Sequence, residues 1–312
     1  MCLLSFVGHA LIWTQGGMTT LPKEIAIPWH AISKTLGRPP VLSYASYALN
    51  NWYRIDKNGP IALGNIALIQ NFLGGMDEEW FVLIHIDIEN QAELAINHLP
   101  SAQRAAMDQN WPQLENDLIK IKKSIDAMVT VLLRMPEHCD PYIYYHRVRP
   151  YIHGWKNNPA MPKGLIYEGV QEYKGKAQFF CGETGAQSSI VPSLDAALGI
   201  VHEEDALKQH LREMRTYMPP QHREFITQIE SQPSIRHSIS KTDCPARCLD
   251  LLDNTIQSLA EFRKIHLGYA KSYVANQHAK SKANPTAIGT GGTPFIPYLT
   301  KHYTDTISAP KN

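Results

Sequence analysis

The longest uninterrupted amphipathic pattern in this chain runs from Leu249 to about Gln277, and its spacing predicts a helix. The inward stripe is Leu252, Ile256, Leu259, Arg263, His266, Ala270 and Tyr273, in alternating steps of four and three. Such steps keep all seven side chains on one face of a 3.6-residue turn. Two of them, Arg263 and His266, are not apolar, and they lie one turn apart.

The rest of the chain reads in the same way. Asp77–Glu79 place acids ahead of an apolar-periodic run from Trp80 to about Leu99, a favourable helix start. The stretch from Ala102 to Met135 has long apolar spacing with interleaved Lys and Asp, and Pro136 ends it. Pro192–His202 and Glu203–Met218 predict two further helices, the second stopped by Pro219-Pro220. Cys2 to Trp13 predicts a core helix. It is too short to span a bilayer, and it lacks the basic leader and small-residue cleavage site of a signal peptide. Alternating β-branched runs are scarce, and Ala177–Cys181 reads as a short strand or an extended loop. Gly and Pro concentrate at Lys156–Gly169 and Asn284–Pro297, loops long enough to act as lids. The pattern predicts an all-α fold, with one domain over residues 1–312.

At 312 residues the chain can bury a sizeable core. Hydrophobic residues make up 44% and charged residues 19%, a balance that suits a protein wrapped around a large apolar group. A net charge of +1 provides no field to gather nucleic acid or a membrane surface, so the expected partner is a small molecule. The five cysteines are scattered, and Cys244 and Cys248 have neither zinc-knuckle nor redox spacing. They predict reduced thiols and a cytoplasmic protein.

Four constellations can carry chemistry. His266 sits on a rigid helix with Gly268 and Ala270 just beyond it, small residues that leave room for something flat and wide against the helix. A neutral imidazole so placed can hold haem iron, or it can be a core histidine bonded to a neighbour. Phe81 and His85, four apart, share a helical face. The pair can stack on an aromatic ligand and accept an N–H, or can simply edge a core. Tyr144-Tyr145-His146-Arg147-Val148-Arg149 sets two arginines among aromatics, either an anion site or surface arginine. Gly289-Thr290-Gly291-Gly292-Thr293 lacks the lysine and helix start of a phosphate loop, leaving a mobile lid or a plain connector. No HExxH pattern or carboxylate-rich ligand cluster accompanies the fourteen histidines.

Taken together, the segments resemble the indoleamine 2,3-dioxygenases. The resemblance rests on Pro39–Ala45 through Asn51-Trp52, Arg149–Pro159 with Gly154-Trp155-Lys156, and Leu165–Gly169. It continues through Gly185–Ser189, Met214-Arg215 with Tyr217–Pro220 and His222-Arg223, Arg263 with His266-Leu267, and Gly289–Thr293. These occur in the family's order across nearly the whole chain. The resemblance implies an all-helical fold enclosing haem b, and a dioxygenase that inserts both atoms of O₂ across the indole C2–C3 bond of L-tryptophan. The product is then N-formylkynurenine, and a reductant is needed only to start the resting ferric enzyme. Related implied readings are turnover of another indole, such as a halogenated tryptophan, and a non-catalytic haem- or tryptophan-binding protein.

The resemblance also implies roles residue by residue. His266 matches the proximal haem ligand, with Arg263 and Asp195 a charged pair behind it. Thr184 and Gly185 match the loop at the haem edge. Phe81 matches the aromatic that packs on the indole, and Arg149 matches the arginine that binds the substrate carboxylate. Tyr44, Tyr47 and Ala48 match the wall around the benzene ring, and Thr290 matches the lid threonine at the amino-acid end. Two departures stand out: His85 replaces a serine, and Tyr144 and Tyr145 replace a pair of phenylalanines. Both are similar to the sister tryptophan 2,3-dioxygenases and imply narrower selection for L-tryptophan. Family members also carry a small helical domain ahead of the matching Leu21–Pro28 segment. Residues 1–20 are expected to be a remnant of the segment that normally comes after that domain.

Overall fold

The computed structural model describes residues 1–14, 16–240, 242–277 and 289–308. It is built from helices, as expected. In chain order they are α1 (Cys2–Thr14), α2 (Lys23–Thr35), α3 (Met76–Gln91), α4 (Glu93–Met107), α5 (Trp111–Leu132), α6 (Pro141–Ile143) and α7 (Arg149–Ile152). They continue as α8 (Ile190–Leu198), α9 (Ala206–Arg215), α10 (Pro220–Glu230), α11 (Ile235–Ile239), α12 (Ala246–Tyr269) and α13 (Phe295–Ile307). Three π-helical turns interrupt the series, at Ala45–Leu49, Tyr144–Val148 and Ala270–Ala275. The strands are short. β1 (Thr20–Leu21) pairs in parallel with β4 (Ile166–Tyr167), and β2 (Trp52–Arg54) pairs antiparallel with β3 (Ile66–Leu68). No helix among the described residues is long and apolar enough to cross a membrane.

Two sequence-predicted helices are each divided. The run from Trp80 to Leu99 becomes α3 and α4, which meet at Ala92. There the Ser124 hydroxyl of α5 donates to the Gln91 carbonyl at 2.5 Å, competing for an acceptor that an unbroken helix would use. The stretch from Ala102 to Met135 is cut at Asn110, whose side chain accepts from the Gln113 amide at 3.3 Å and caps α5. Ala177–Cys181 is extended and forms one isolated bridge, Leu165 to Gln178, rather than a named strand. The Gly/Pro-rich stretch Asn284–Pro297 lies partly outside the described residues. From Phe295 it is helical, a start the sequence reading placed within the loop.

The main core is formed chiefly by α3, α4, α5, α8 and α12, with Leu99, Leu118, Ile125, Leu194, Leu252 and Leu259 fully buried. A second core joins α1 and α2 to the segment 155–181, around Trp29, Trp155 and Tyr167. A third lies between α1, the first π turn and α3. Helix α1 is tied to both later segments by His9. Its Nδ1 donates to the Tyr151 carbonyl at 2.8 Å, and its Nε2 accepts from the Leu42 amide at 2.9 Å.

Where the chain following α7 passes the segment before α8, two backbones touch. A Cβ on Gly154 would lie 2.2 Å from the Gly182 nitrogen, and one on Gly182 would lie 2.2 Å from the Gly154 nitrogen. Only hydrogen fits at either position. Gly185, three residues on, has open space where its Cβ would be. Gly154→Ala should therefore destabilise the fold by roughly 4 kcal/mol or more, whereas Gly185→Ala should stay within about 1 kcal/mol. Urea unfolding midpoints of the two variants measure the difference.

Candidate functional site

One face of α3 and two π turns converge on an aromatic pocket. Phe81 and His85 sit one turn apart on α3, their ring centres 4.6 Å apart. Tyr144 of the second π turn lies 4.6 Å from Phe81, and Tyr47 of the first lies 6.4 Å from it. Tyr44, just before the first π turn, meets His85 edge-on at 6.0 Å. Ala48 is buried in the same turn. The predicted ring-contacting residues are thus brought together.

A π turn widens the helix by one residue and turns side chains off the regular stripe. Tyr44, Tyr47 and Ala48 stand at i, i+3 and i+4 and so share one face, while the adjacent Tyr144 and Tyr145 point to different neighbours. Tyr145 lies under Arg149, whose guanidinium carbon is 5.5 Å from its ring centre. Arg149 is only 1% exposed. Burial lowers its pKa, while the neighbouring Tyr144 and Tyr145 oppose that shift.

His85 has a defined tautomer. Its Nδ1 lies 2.7 Å from the Phe81 carbonyl, which can only accept, so Nδ1 carries the proton. The Nε2 lone pair is left as an acceptor. Burial lowers the His85 pKa and keeps the ring neutral.

His266 lies in the last turn of α12. Burial lowers its pKa to about 4, reinforced by the charges of His85 and Arg263. Yet the residue itself is exposed. The His85 contribution to that shift marks His85 as a neighbour of this ring. Neither ring nitrogen is hydrogen-bonded among the described residues. The sequence reading took Gly268 as part of the room beside this ring, and the helix geometry corrects it. Two residues correspond to a rotation of about 200°, so Gly268 faces away from His266, whereas Ala270, four residues on, shares its side.

Behind His266 the predicted charged pair is formed. Arg263 Nη2 donates to Asp195 Oδ2 of α8 at 2.6 Å, and Nη1 donates to the Thr306 hydroxyl of α13. His202 extends the network, with Nε2 at 3.0 Å from Asp195 and Nδ1 at 2.8 Å from Asp305. Burial pushes the Asp195 carboxyl up, but the Arg263 charge and the His202 contact hold it at about 2. Asp195, His202 and His302 bring donor atoms within 4.8 Å of one another. The Arg263 cation beside them, and carboxylates on both nitrogens of His202, make this a hydrogen-bonded charge network rather than a metal centre.

Thr184 caps the short turn that begins at Gly185. Above it lies the Gly289–Thr293 loop. The Thr290 carbonyl accepts from both the Gly154 amide at 3.4 Å and the Gly182 amide at 3.2 Å, and the Thr290 hydroxyl donates to the Glu183 carbonyl. A Cβ on Gly291 would sit 3.3 Å from Thr184.

Three polar residues of this site escaped the sequence reading. Glu89 accepts from the Ser188 hydroxyl at 2.6 Å and is bonded by the Tyr44 phenol; burial raises it to about 6. Its signal was the i+4 step from His85. Gln187 ties the pocket walls together, accepting from the Tyr44 amide and donating to the Gly182 carbonyl, both at 2.8 Å. Glu183 is 3% exposed, a lone acid in the otherwise uncharged run Cys181–Ser189.

Known proteins resemble the chain along its whole length. The family model described as "Indoleamine 2,3-dioxygenase" matches residues 1–309. Indoleamine 2,3-dioxygenase 1 of Rattus norvegicus is 34% identical over 313 residues, covering 95% of this chain and 75% of that protein. Indoleamine 2,3-dioxygenase 2 of Homo sapiens is 34% identical over 311 residues, with the same coverage. The Saccharomyces cerevisiae indoleamine 2,3-dioxygenase is 29% identical over 350 residues, covering 98% of this chain and 76% of that protein. The chain belongs to the indoleamine 2,3-dioxygenase family, a family of haem dioxygenases.

Proposed function

We propose that this enzyme binds haem b through His266 and inserts both atoms of O₂ across the C2–C3 bond of L-tryptophan, giving N-formylkynurenine. The observation that carries the reading is a pair of neighbouring histidines, His266 and His85, both held neutral by burial. His266 is exposed, and Phe81 lies beside His85.

The residues fit a haem. An axial ligand needs a neutral imidazole on a rigid element with room in front of it, and His266 meets all three conditions. Arg263, locked between Asp195 and Thr306, fixes the rotation of α12 and hence the direction of the His266 ring. Thr184 and Gly185 border the space, and Gly185 has no side chain to enter it. Bound ferrous haem supplies the activation of O₂ that a closed-shell indole cannot achieve with triplet oxygen.

This chain's residues supply position. The Arg149 guanidinium, held flat against Tyr145, clamps the substrate carboxylate. Phe81 fixes the plane of the indole, and Tyr44, Tyr47 and Ala48 close around its benzene ring. His85 Nε2 accepts the indole N–H, because its other nitrogen is committed to the Phe81 carbonyl. Thr290 and its glycines hold the loop over the amino-acid end and exclude water. The reaction consumes no external electrons, so a reductant acts only on the resting ferric state. Five free thiols support a reducing, cytoplasmic setting.

Incubating the reduced protein in air with L-tryptophan and measuring N-formylkynurenine tests the reading. A red protein that binds tryptophan without turnover would be a binding protein instead. His266→Ala should abolish the haem Soret band of the purified protein; normal haem content in that variant would contradict the axial role. Arg149→Ala should lower kcat/KM for L-tryptophan by an amount equivalent to about 2–4 kcal/mol, read from steady-state kinetics. L-Tryptophan should also outpace 1-methyl-tryptophan, which has no indole N–H for His85; equal rates would count against that bond.

A further inference from the structure

We propose that the Glu183 carboxylate, together with the Tyr47 hydroxyl, receives the substrate's ammonium group and so selects amino acids over other indoles. The inference rests on the substrate reading given above and extends it to an atom which that reading leaves unmatched. An α-amino acid brings a carboxylate and an ammonium on the same carbon. Arg149 answers the first, and a buried site must also answer the second.

Glu183 is rigidly held. Its amide donates to the Ile152 carbonyl at 3.1 Å, and its carbonyl accepts the Thr290 hydroxyl. The preceding Gly182 is pinned where its backbone crosses Gly154. Its side chain has no such anchor. Among the described residues, no donor is hydrogen-bonded to its carboxylate. Ile152, whose carbonyl takes the Glu183 amide, packs in one cluster with Tyr44 and Tyr47, and Gln187 ties the Gly182 carbonyl to the Tyr44 amide, so Glu183 lies at the wall of the aromatic pocket.

Tyr47 provides a second, separate observation. It is 1% exposed, and its hydroxyl has no hydrogen-bond partner among the described residues. A buried acceptor and a buried hydroxyl, both unmatched among the described residues and on segments that pack together, call for a ligand rich in donors. An ammonium has three. It can give one to Glu183 and one to the Tyr47 oxygen. Burial alone pushes the Glu183 carboxyl up to about 8, as expected for an acid kept from both water and a cation. Two other buried acids near these tyrosines are already engaged: Glu89 by Ser188 and Tyr44, and Glu78 by the amides of Phe72, Leu73 and Gly74.

The test compares L-tryptophan with indole-3-propionate, which keeps the ring and carboxylate and lacks the ammonium. Calorimetry on the haem-loaded protein reads both affinities. Wild type should bind L-tryptophan at least tenfold more tightly, and Glu183→Gln should lose about 10- to 100-fold for L-tryptophan but under twofold for indole-3-propionate. Equal losses for both ligands, or none for either, would overturn the inference while leaving tryptophan turnover by the wild type intact. A wild type that turns over no indole overturns the substrate reading and this inference with it. If Glu183→Gln does not fold, the wild type alone still decides: equal affinity for the two ligands sinks the proposal.

Discussion

Everything around His266 depends on one buried guanidinium. Arg263 reaches from α12 to Asp195 on α8 and to Thr306 on α13, so three helices meet at one charge. A buried ion pair adds little net stability over an apolar contact of the same shape. What it adds is direction, because a planar fork satisfied on both sides permits one rotation of α12 about its axis. His266 is one turn further on, and its ring points where that rotation aims it. Removing either partner would leave a charge stranded in the core, which costs about 3–5 kcal/mol.

The opposite side is built on another principle. There the polar groups are not saturated by one another. His85 keeps a lone pair in reserve, and Glu183 is desolvated. Both lower the stability of the ligand-free fold and gain a partner there on binding. The two halves divide the work: one fixes geometry with a closed network, the other keeps hydrogen-bonding capacity for the substrate. The fold accommodates this because the main core, between α3, α4, α5, α8 and α12, is apolar and fully buried beside it.

The regular parts were the legible ones. The stripe of α12 predicted both its helix and the buried Arg263, because a long 3.6-residue period outweighs local noise. Phe81 and His85 were legible as an i, i+4 pair for the same reason. The π turns were not, since one inserted residue alters where side chains point without altering composition. Tyr44, Tyr47 and Tyr144 sit in or beside five-residue turns too short to carry a periodic stripe, so they were placed at the pocket by resemblance and not by periodicity. The cut at Ala92 depends on a hydroxyl from α5, a tertiary event that no local pattern announces. The cap at Asn110, by contrast, was written in Asn110-Trp111-Pro112 and was passed over inside a longer apolar rhythm. Gly268 misled because adjacency along the chain was read as adjacency in space. Glu183 carried almost no local signal, and only its surroundings make a lone acid meaningful.

The seating of Thr290 bears on how anything enters or leaves. Its carbonyl holds two amides from two different segments, and its hydroxyl holds a third contact. Lifting Thr290 away would break all three contacts together, so its seating favours a closed loop over a partly raised one.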